Sequence, residues 1–299
     1  MKIFITGGTG LIGSAFINEF QSDYQFDVLT RQPSHSNGHF NDNKNITFIN
    51  DIKQLTDLND YDAVINLAGE PIVNKRWSTL QKRAICQSRW QLTNTLSKLI
   101  NDSTSPPKTF ISGSAIGYYG RQGAEPIDEQ FMDFHPEFSH RICKVWEEKA
   151  SLAQNKTRLC IMRTGIVLDK QNGALKKMIP AYKLGLGGRL SHGNQYMSWI
   201  HIEDMIQAIN FLLNNSDCQG HFNLTAPTPV TNKEFSQTLA QTLNRPNLAT
   251  MPAFVLKILL GEMSDLLLFG QNVVPAQLLA QQFKFKHPNL KPALEHLLR

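Results

Sequence analysis

The chain has 299 residues, enough for one large domain or two modest ones around a real core, and 41% hydrophobic with 18% charged residues is ordinary globular composition. The net charge of +5 is dispersed, with no basic run interleaved with aromatics. That argues against nucleic-acid binding and fits an anionic small ligand equally well. Cys86, Cys143, Cys160 and Cys218 are widely spaced with no CxxC pair, which argues against a zinc site or a disulfide framework and for a reducing, cytoplasmic setting.

The first elements alternate. KIFIT (2–6), DVLT (27–30), ITFIN (46–50), AVINLA (63–68), TFISGS (109–114) and RLCIMRTG (158–165) read as strands. They are near-continuous apolar runs, as expected of strands covered on both faces. Helical patterns fall between them at 11–20, 78–101 and 138–154. The alternation predicts an α/β chain with a Rossmann-type, doubly wound parallel sheet.

After residue 165 the rhythm changes. A Gly-rich loop, LGLGGRLSHGN (184–194), leads to a strand end and helix in MSWIHIEDMIQAINFLL, then to a strand in GHFNLTAP (220–227). From about 228 onward helices and loops predominate, punctuated by prolines. The predicted organisation is a dinucleotide-binding domain over 1–165, with 196–226 returning to it. Residues 166–195 and 227–299 make a smaller, mostly helical substrate or cap region. The apolar stretch FVLKILLGEMSDLLLFG (254–270) is broken by Lys257, Glu262 and Asp265, so it reads as helices covering a pocket or a dimer face, not a membrane span.

The sharpest motif is ITGGTGLIGSAF (5–16), which places Gly7, Gly10 and Gly13 directly after the first strand and at the start of a helix. Such a turn lets backbone approach a pyrophosphate at a helix N-terminus, where free N–H groups and the dipole favour an anion. An NAD site usually carries an acid at the tip of the second strand. Here the tip reads Thr30-Arg31, and Asp27 lies at the strand's beginning. A guanidinium pairs well with a 2′-phosphate, so NADP(H) is preferred over NAD(H).

TGGTGLIG, NLAGEPI and SGSAIGYYG together resemble the extended short-chain dehydrogenase/reductase superfamily, of the nucleotide-sugar epimerase type, over nearly the whole chain. FSHRICKVWEE, RTGIVLD, KLGLGGRLSHGNQYMSWIHIEDM and GHFNLTAPTPVTNKEF are similar to the subgroup called "epimerase family protein", of the bacterial YfcH kind. The resemblance implies that Gly7, Gly10, Leu11, Ile12 and Gly13 hold the pyrophosphate. Thr30 and Arg31 would take the adenosine phosphate, and Asp51 and Ile52 would lie near adenine. Leu67, Ala68 and Gly69 would pass the ribose, Arg89 would reach a phosphate or ribose, and Thr164, Gly165 and Ile166 would border the nicotinamide. Ser114 matches the family's active-site serine, and Tyr118 and Tyr119 lie where substrate is often touched. The resemblance also leaves room for a homodimer.

The superfamily carries Tyr-x-x-x-Lys on the helix of 138–154, and no register of this sequence supplies it. The natural register puts Ser139 and Cys143 there, and a shift of one gives His140 and Lys144. His140 and Glu70 therefore stand as acid/base candidates beside Ser114. Arg189 and Gln195, with His192 and Asn194, are candidate substrate contacts in the Gly-rich loop. His201 and the four tryptophans read as structural. Two functions remain open: an NADP(H)-dependent oxidoreductase or epimerase of a small polar substrate, or a non-catalytic dinucleotide-binding sensor linked to cell division.

Overall fold

The computed structural model describes residues 1–31, 40 and 43–298. Seven strands, β1 (Lys2–Thr6), β2 (Gln25–Leu29), β3 (Ile46–Ile49), β4 (Ala63–Asn66), β5 (Thr109–Ala115), β6 (Arg158–Thr164) and β7 (Gly220–Leu224), form one parallel sheet. Their order is β7-β6-β5-β4-β1-β2-β3, so the winding reverses beside β1. In such a sheet ligands bind outside the carboxyl ends of the strands at the reversal. This is the doubly wound fold that the strand–helix rhythm predicts.

Strand residues alternate between two buried faces. Ile3 and Ile5 point into a cluster with Phe16 and Ile17 of α1 (Leu11–Phe20) and Met205 and Ile209 of α5 (Ile202–Asn214). Phe4, Val64 and Phe110 point into the opposite cluster, with Leu96 and Ile100 of α2 (Thr79–Asp102) and Ala150 of α3 (Phe138–Ser151). Helices α2 and α3 are tied by side chains as well, since Trp90 Nε1 donates to the Ile142 carbonyl and Ser97 Oγ to that of Lys149.

Beyond the sheet, α4 (Gly173–Lys183), α6 (Asn232–Thr242) and α8 (Leu290–Leu298) close over a third cluster around Trp199, Tyr182, Phe235 and Leu294. The segment 184–194 is not wholly a loop. Gly188–Leu190 pairs with Ala249–Met251, and a Cβ on Gly188 would stand 1.9 Å from the Ala249 carbonyl oxygen, so only glycine permits that approach. Helix α7 (Ala253–Leu260) packs through Leu256 and leaves Phe254 and Ile258 exposed.

His201 caps α5, its Nδ1 accepting the Glu203 N–H at 3.0 Å, and its ring stacks on His287 at 3.7 Å. Asp204 accepts the backbone N–H groups of Lys286 and His287. These contacts fasten the C-terminal segment to the sheet-bound helix. All four cysteines are buried free thiols. Among the described residues no helix is long and apolar enough to cross a membrane.

Candidate active site

The glycine turn between β1 and α1 is fixed by close approach. Gly7 has φ +71°, and a Cβ there would lie 2.7 Å from the Ala68 nitrogen and the Leu67 carbonyl carbon. A Cβ on Gly13 would stand 2.4 Å from the Gly7 carbonyl oxygen. Gly10 is different, because its Cβ would meet only that same oxygen, at 3.2 Å. Space beside Gly10 is therefore left for something outside the chain. No side chain caps α1 and its first turn has no acid. An uncapped N-terminus with glycine at its mouth fits a pyrophosphate.

This turn opens into a cleft of about 610 Å³. Gly7, Gly10, Leu11, Ile12 and Gly13 line one end, Leu67, Gly69 and Arg89 the side, and Ser114, Thr164, Gly165 and Ile166 the strand ends. Most of the nucleotide set expected from the sequence therefore meets in one crevice. Arg89 is held by the carbonyls of Glu70 and Ile85, at 3.0 and 3.1 Å, with its guanidinium over the Trp146 ring. Gly69 exists for this arginine, since a Cβ would stand 2.7 Å from its Cζ. Burial lowers the Arg89 pKa, and no ion pair among the described residues includes it. An anion is the natural complement.

Ser114 is buried, and its hydroxyl donates to Glu147 Oε1 at 2.6 Å. Glu147 is in turn gripped by Arg163, with Nε to Oε1 at 3.0 Å and Nη2 to Oε2 at 2.8 Å. His221 Nε2 lies 3.3 Å from Oε2. Burial alone would raise the Glu147 carboxyl, but hydrogen bonds from His221 and Arg163, the Arg163 charge and the Ser114 hydroxyl outweigh it and leave it below the ordinary value. Ser114 thus faces the cleft with its oxygen lone pairs, ready to accept from a ligand hydroxyl.

On α3, Ser139 and Cys143 line the cleft, the two positions that the resemblance sets against the superfamily's tyrosine and lysine. His140, one residue on, turns away: its Nδ1 contacts the Tyr118 carbonyl and its ring stacks on Phe134 at 5.0 Å. It is buried packing, not a group in the cleft, and Lys144 is exposed. The Ser139 hydroxyl donates to Glu137 Oε1, and Glu137 also lines the cleft. Arg121 bridges Glu137 and Asp265, at 3.0 and 3.1 Å. Burial, with the Glu147 charge, pushes the Cys143 thiol up to about 12.

Several expected residues stand elsewhere. Glu70 turns its carboxylate to Gln81 Nε2, outside the cleft, and serves it only through its carbonyl on Arg89. Tyr118 carries Arg163 on its ring at 3.6 Å, and Tyr119 is fully buried, donating to Asn223 Oδ1 at 2.7 Å. Both are walls of the Arg163 site and neither lines the cleft. Arg189 is exposed and donates to Thr250 Oγ1, while His192 and Asn194 cap their own turn. Gln195 does line the cleft. Of the residues expected around the adenosine, Arg31 is exposed after β2, and Asp51 caps the turn Ile52–Gln54. Ala68 N–H donates to Thr6 Oγ1, and the Thr30 N–H donates to the Ile49 carbonyl. Asp27 is spent on Tyr61 and Lys2. Glu147, Arg163, Glu137 and Asp265 were not singled out by the sequence. Arg163, a charge inside an apolar strand, was the available signal.

The model of the NAD dependent epimerase/dehydratase family matches residues 3–225, and that of a domain of unknown function, DUF1731, matches residues 251–297. An epimerase family protein of Staphylococcus aureus (strain MRSA252) is 40% identical over 302 residues, covering 99% of each chain. Human epimerase family protein SDR39U1, solved with NADPH, is similar at 30% identity and TM-score 0.91 over 99% of both chains. A nucleoside-diphosphate sugar epimerase from Corynebacterium glutamicum is similar at 26% identity and TM-score 0.77, over 100% of this chain and 58% of that one.

Proposed function

The chain belongs to the NAD-dependent epimerase/dehydratase family, and from that premise we propose that it is an NADP(H)-dependent oxidoreductase whose proton path replaces the phenol and ammonium of its superfamily. The observation that carries the reading is the single cleft in which the glycine turn, Arg89, Ser114 and Ser139 meet. Gly10, Leu11, Ile12 and Gly13 would hold the pyrophosphate, and Arg89 an adjoining phosphate or ribose. Arg31 supports the 2′-phosphate form, as does the engagement of Asp27 elsewhere. The NADPH in the human relative's structure points the same way.

A bound nicotinamide would supply the hydride chemistry at an alcohol or carbonyl carbon of the substrate. This chain's residues handle the proton that the alcohol oxygen must lose at the same time. Ser114, its own hydrogen committed to Glu147, presents only lone pairs and accepts from a second hydrogen-bond donor of the ligand, leaving the reacting alcohol's single hydrogen to Ser139. The Ser139 hydroxyl takes up the proton while its own hydrogen passes to Glu137 Oε1, and reduction of a carbonyl runs the path backward. His140 and Glu70 have no part in this path.

A second reading, a dinucleotide sensor without turnover, is favoured by Cys143, a neutral thiol where the superfamily has an ammonium. Mixing the purified protein with NADPH and a panel of carbonyl compounds separates the two. Substrate-dependent loss of nicotinamide absorbance, abolished in Ser114→Ala, supports the oxidoreductase. Tight NADPH binding with no absorbance change across the panel supports the sensor.

A further inference from the structure

Asp and Glu make up 25 of the 299 residues, yet none falls in 170–202 or in 235–261. The fold brings parts of these two stretches side by side. Gly188–Leu190 runs parallel to Ala249–Met251, and the Ser191 N–H donates to the Met251 carbonyl at 2.8 Å. A Cβ on Gly185 would stand 3.8 Å from Pro246 Cγ. Lys183, Arg189, Arg245 and Lys257 are exposed along this paired region, and the preceding helix α4 adds exposed Lys176 and Lys177. No ion pair among the described residues includes any of the six. The acids that flank the two stretches are engaged locally. Asp169 accepts the Gln171 N–H, Glu203 pairs with Lys286 and His287, Glu234 closes its own capping box and Glu262 pairs with Lys82.

The same segments carry apolar side chains that stand out of the surface. Leu248 is 89% exposed, Leu184 75% and Leu186 68%, and Met251 is exposed as well. Two residues after Met251 helix α7 begins. It turns Leu256 inward and sets Phe254 and Ile258, one turn apart, on its opposite side, with Lys257 between them in the chain. None of these outward side chains lines the cleft.

An exposed apolar cluster of this kind marks an interaction surface. A protein partner receives apolar anchors in matched pockets, whereas side chains this prominent suit a medium that moulds itself around them. Two copies of this face laid together would set cation against cation with no acid to answer it. An anionic bilayer meets both features. Its acyl boundary takes the leucines and Phe254, and its headgroups take the ammonium and guanidinium groups.

We propose that the face formed by residues 183–190, residues 245–251 and α7 docks on the surface of an anionic lipid bilayer without spanning it. The inference is independent of what the cleft binds or turns over.

The test is co-sedimentation of the full chain with vesicles of phosphatidylcholine, alone or with about 30 mol% phosphatidylserine. The protein is expected to bind the anionic vesicles at least about tenfold more tightly than the neutral ones, and to be released as salt is raised. Lys183→Gln, Arg245→Gln and Lys257→Gln together should weaken that binding at least about tenfold. Removing the same charge elsewhere, through Lys53→Gln, Lys144→Gln and Lys156→Gln, should cost less than about threefold. Leu248→Ser with Phe254→Ser should weaken binding with the charge unchanged. No binding to anionic vesicles, equal binding to neutral ones, equal loss in the two charge variants, or unaltered binding in the serine variant would each overturn the proposal. So would a dimer, formed without lipid and dissolved by the serine variant, because a second copy would then cover the face. All the substituted side chains are exposed. Should the serine variant not fold, the comparison of the two charge variants still decides.

Discussion

The Ser114 hydroxyl hangs on a carboxylate, Glu147, that Arg163 grips through both oxygens, at 2.8 and 3.0 Å, in a fully enclosed pair. Helix α3 supplies the acid and neighbouring strands β5 and β6 the serine and the arginine. The pair costs desolvation, which its bidentate geometry and the Tyr118 ring beneath the guanidinium offset. In return Ser114 has one orientation, hydrogen inward and lone pairs toward the cleft.

Glu147→Gln is expected to destabilise the protein by about 3–5 kcal/mol, because it leaves Arg163 buried without a counter-charge. The pH dependence has a definite sign. A carboxyl held below its unfolded value of about 4.3 contributes stability that is complete above that pH and disappears as pH falls through the folded value. Urea unfolding between about pH 7 and 3 should show this acid loss in the parent and a shallower one in Glu147→Gln. Identical pH profiles would mean that the pair is not ionised as described.

Gly13→Ala and Gly10→Ala should separate folding from binding. A Cβ on Gly13 meets backbone at 2.4 Å, so helix α1 must shift, at a cost of about 1–3 kcal/mol. The nearest atom to a Gly10 Cβ is at 3.2 Å, which a slight adjustment absorbs. Gly10→Ala should thus unfold near the parent's urea midpoint yet bind NADPH at least about tenfold more weakly, since the methyl occupies the approach to the helix N-terminus. Loss of stability in Gly10→Ala, or full NADPH affinity, would contradict the space left beside it.

What the sequence disclosed follows from the range over which each feature is encoded. The glycine turn is local: Gly7, Gly10 and Gly13 meet their constraints within one strand, turn and helix, and the pattern states them. The β-rich runs are local too, and the sheet order follows from right-handed crossovers. The register of α3 was legible only to within one residue, because Ser139 and His140 are adjacent and the choice depends on which face α2 and β5 bury. Glu147 and Arg163 required two distant segments to meet. Glu70 misled for the same reason, since its backbone reaches the site and its carboxylate does not.

Arg31→Ala is expected to weaken NADPH by about 1–3 kcal/mol, roughly tenfold to a hundredfold, and NADH hardly at all. Asp27 cannot substitute as a ribose ligand, being bound to Tyr61 at 2.8 Å and Lys2 at 3.1 Å. Fluorescence titration of both nucleotides measures the ratio. Equal weakening of the two would remove the case for the phosphorylated form.

Cys143 offers a final check, because it borders the cleft and yet should be inert. Burial first, then the Glu147 charge, push its thiol up to about 12, so at pH 8 the thiolate fraction is about a thousandfold below that of an ordinary cysteine. Iodoacetamide at pH 8 should leave Cys143 of the native protein unmodified on a timescale that fully alkylates a small-molecule thiol, and should modify it once the chain is unfolded in urea. Cys143→Ser should keep NADPH affinity and any turnover within a few-fold, as the proton path runs through Ser139 and Glu137. Rapid native alkylation, slowed by NADPH and accompanied by loss of turnover, would instead make the thiol a working group and require a different proton path.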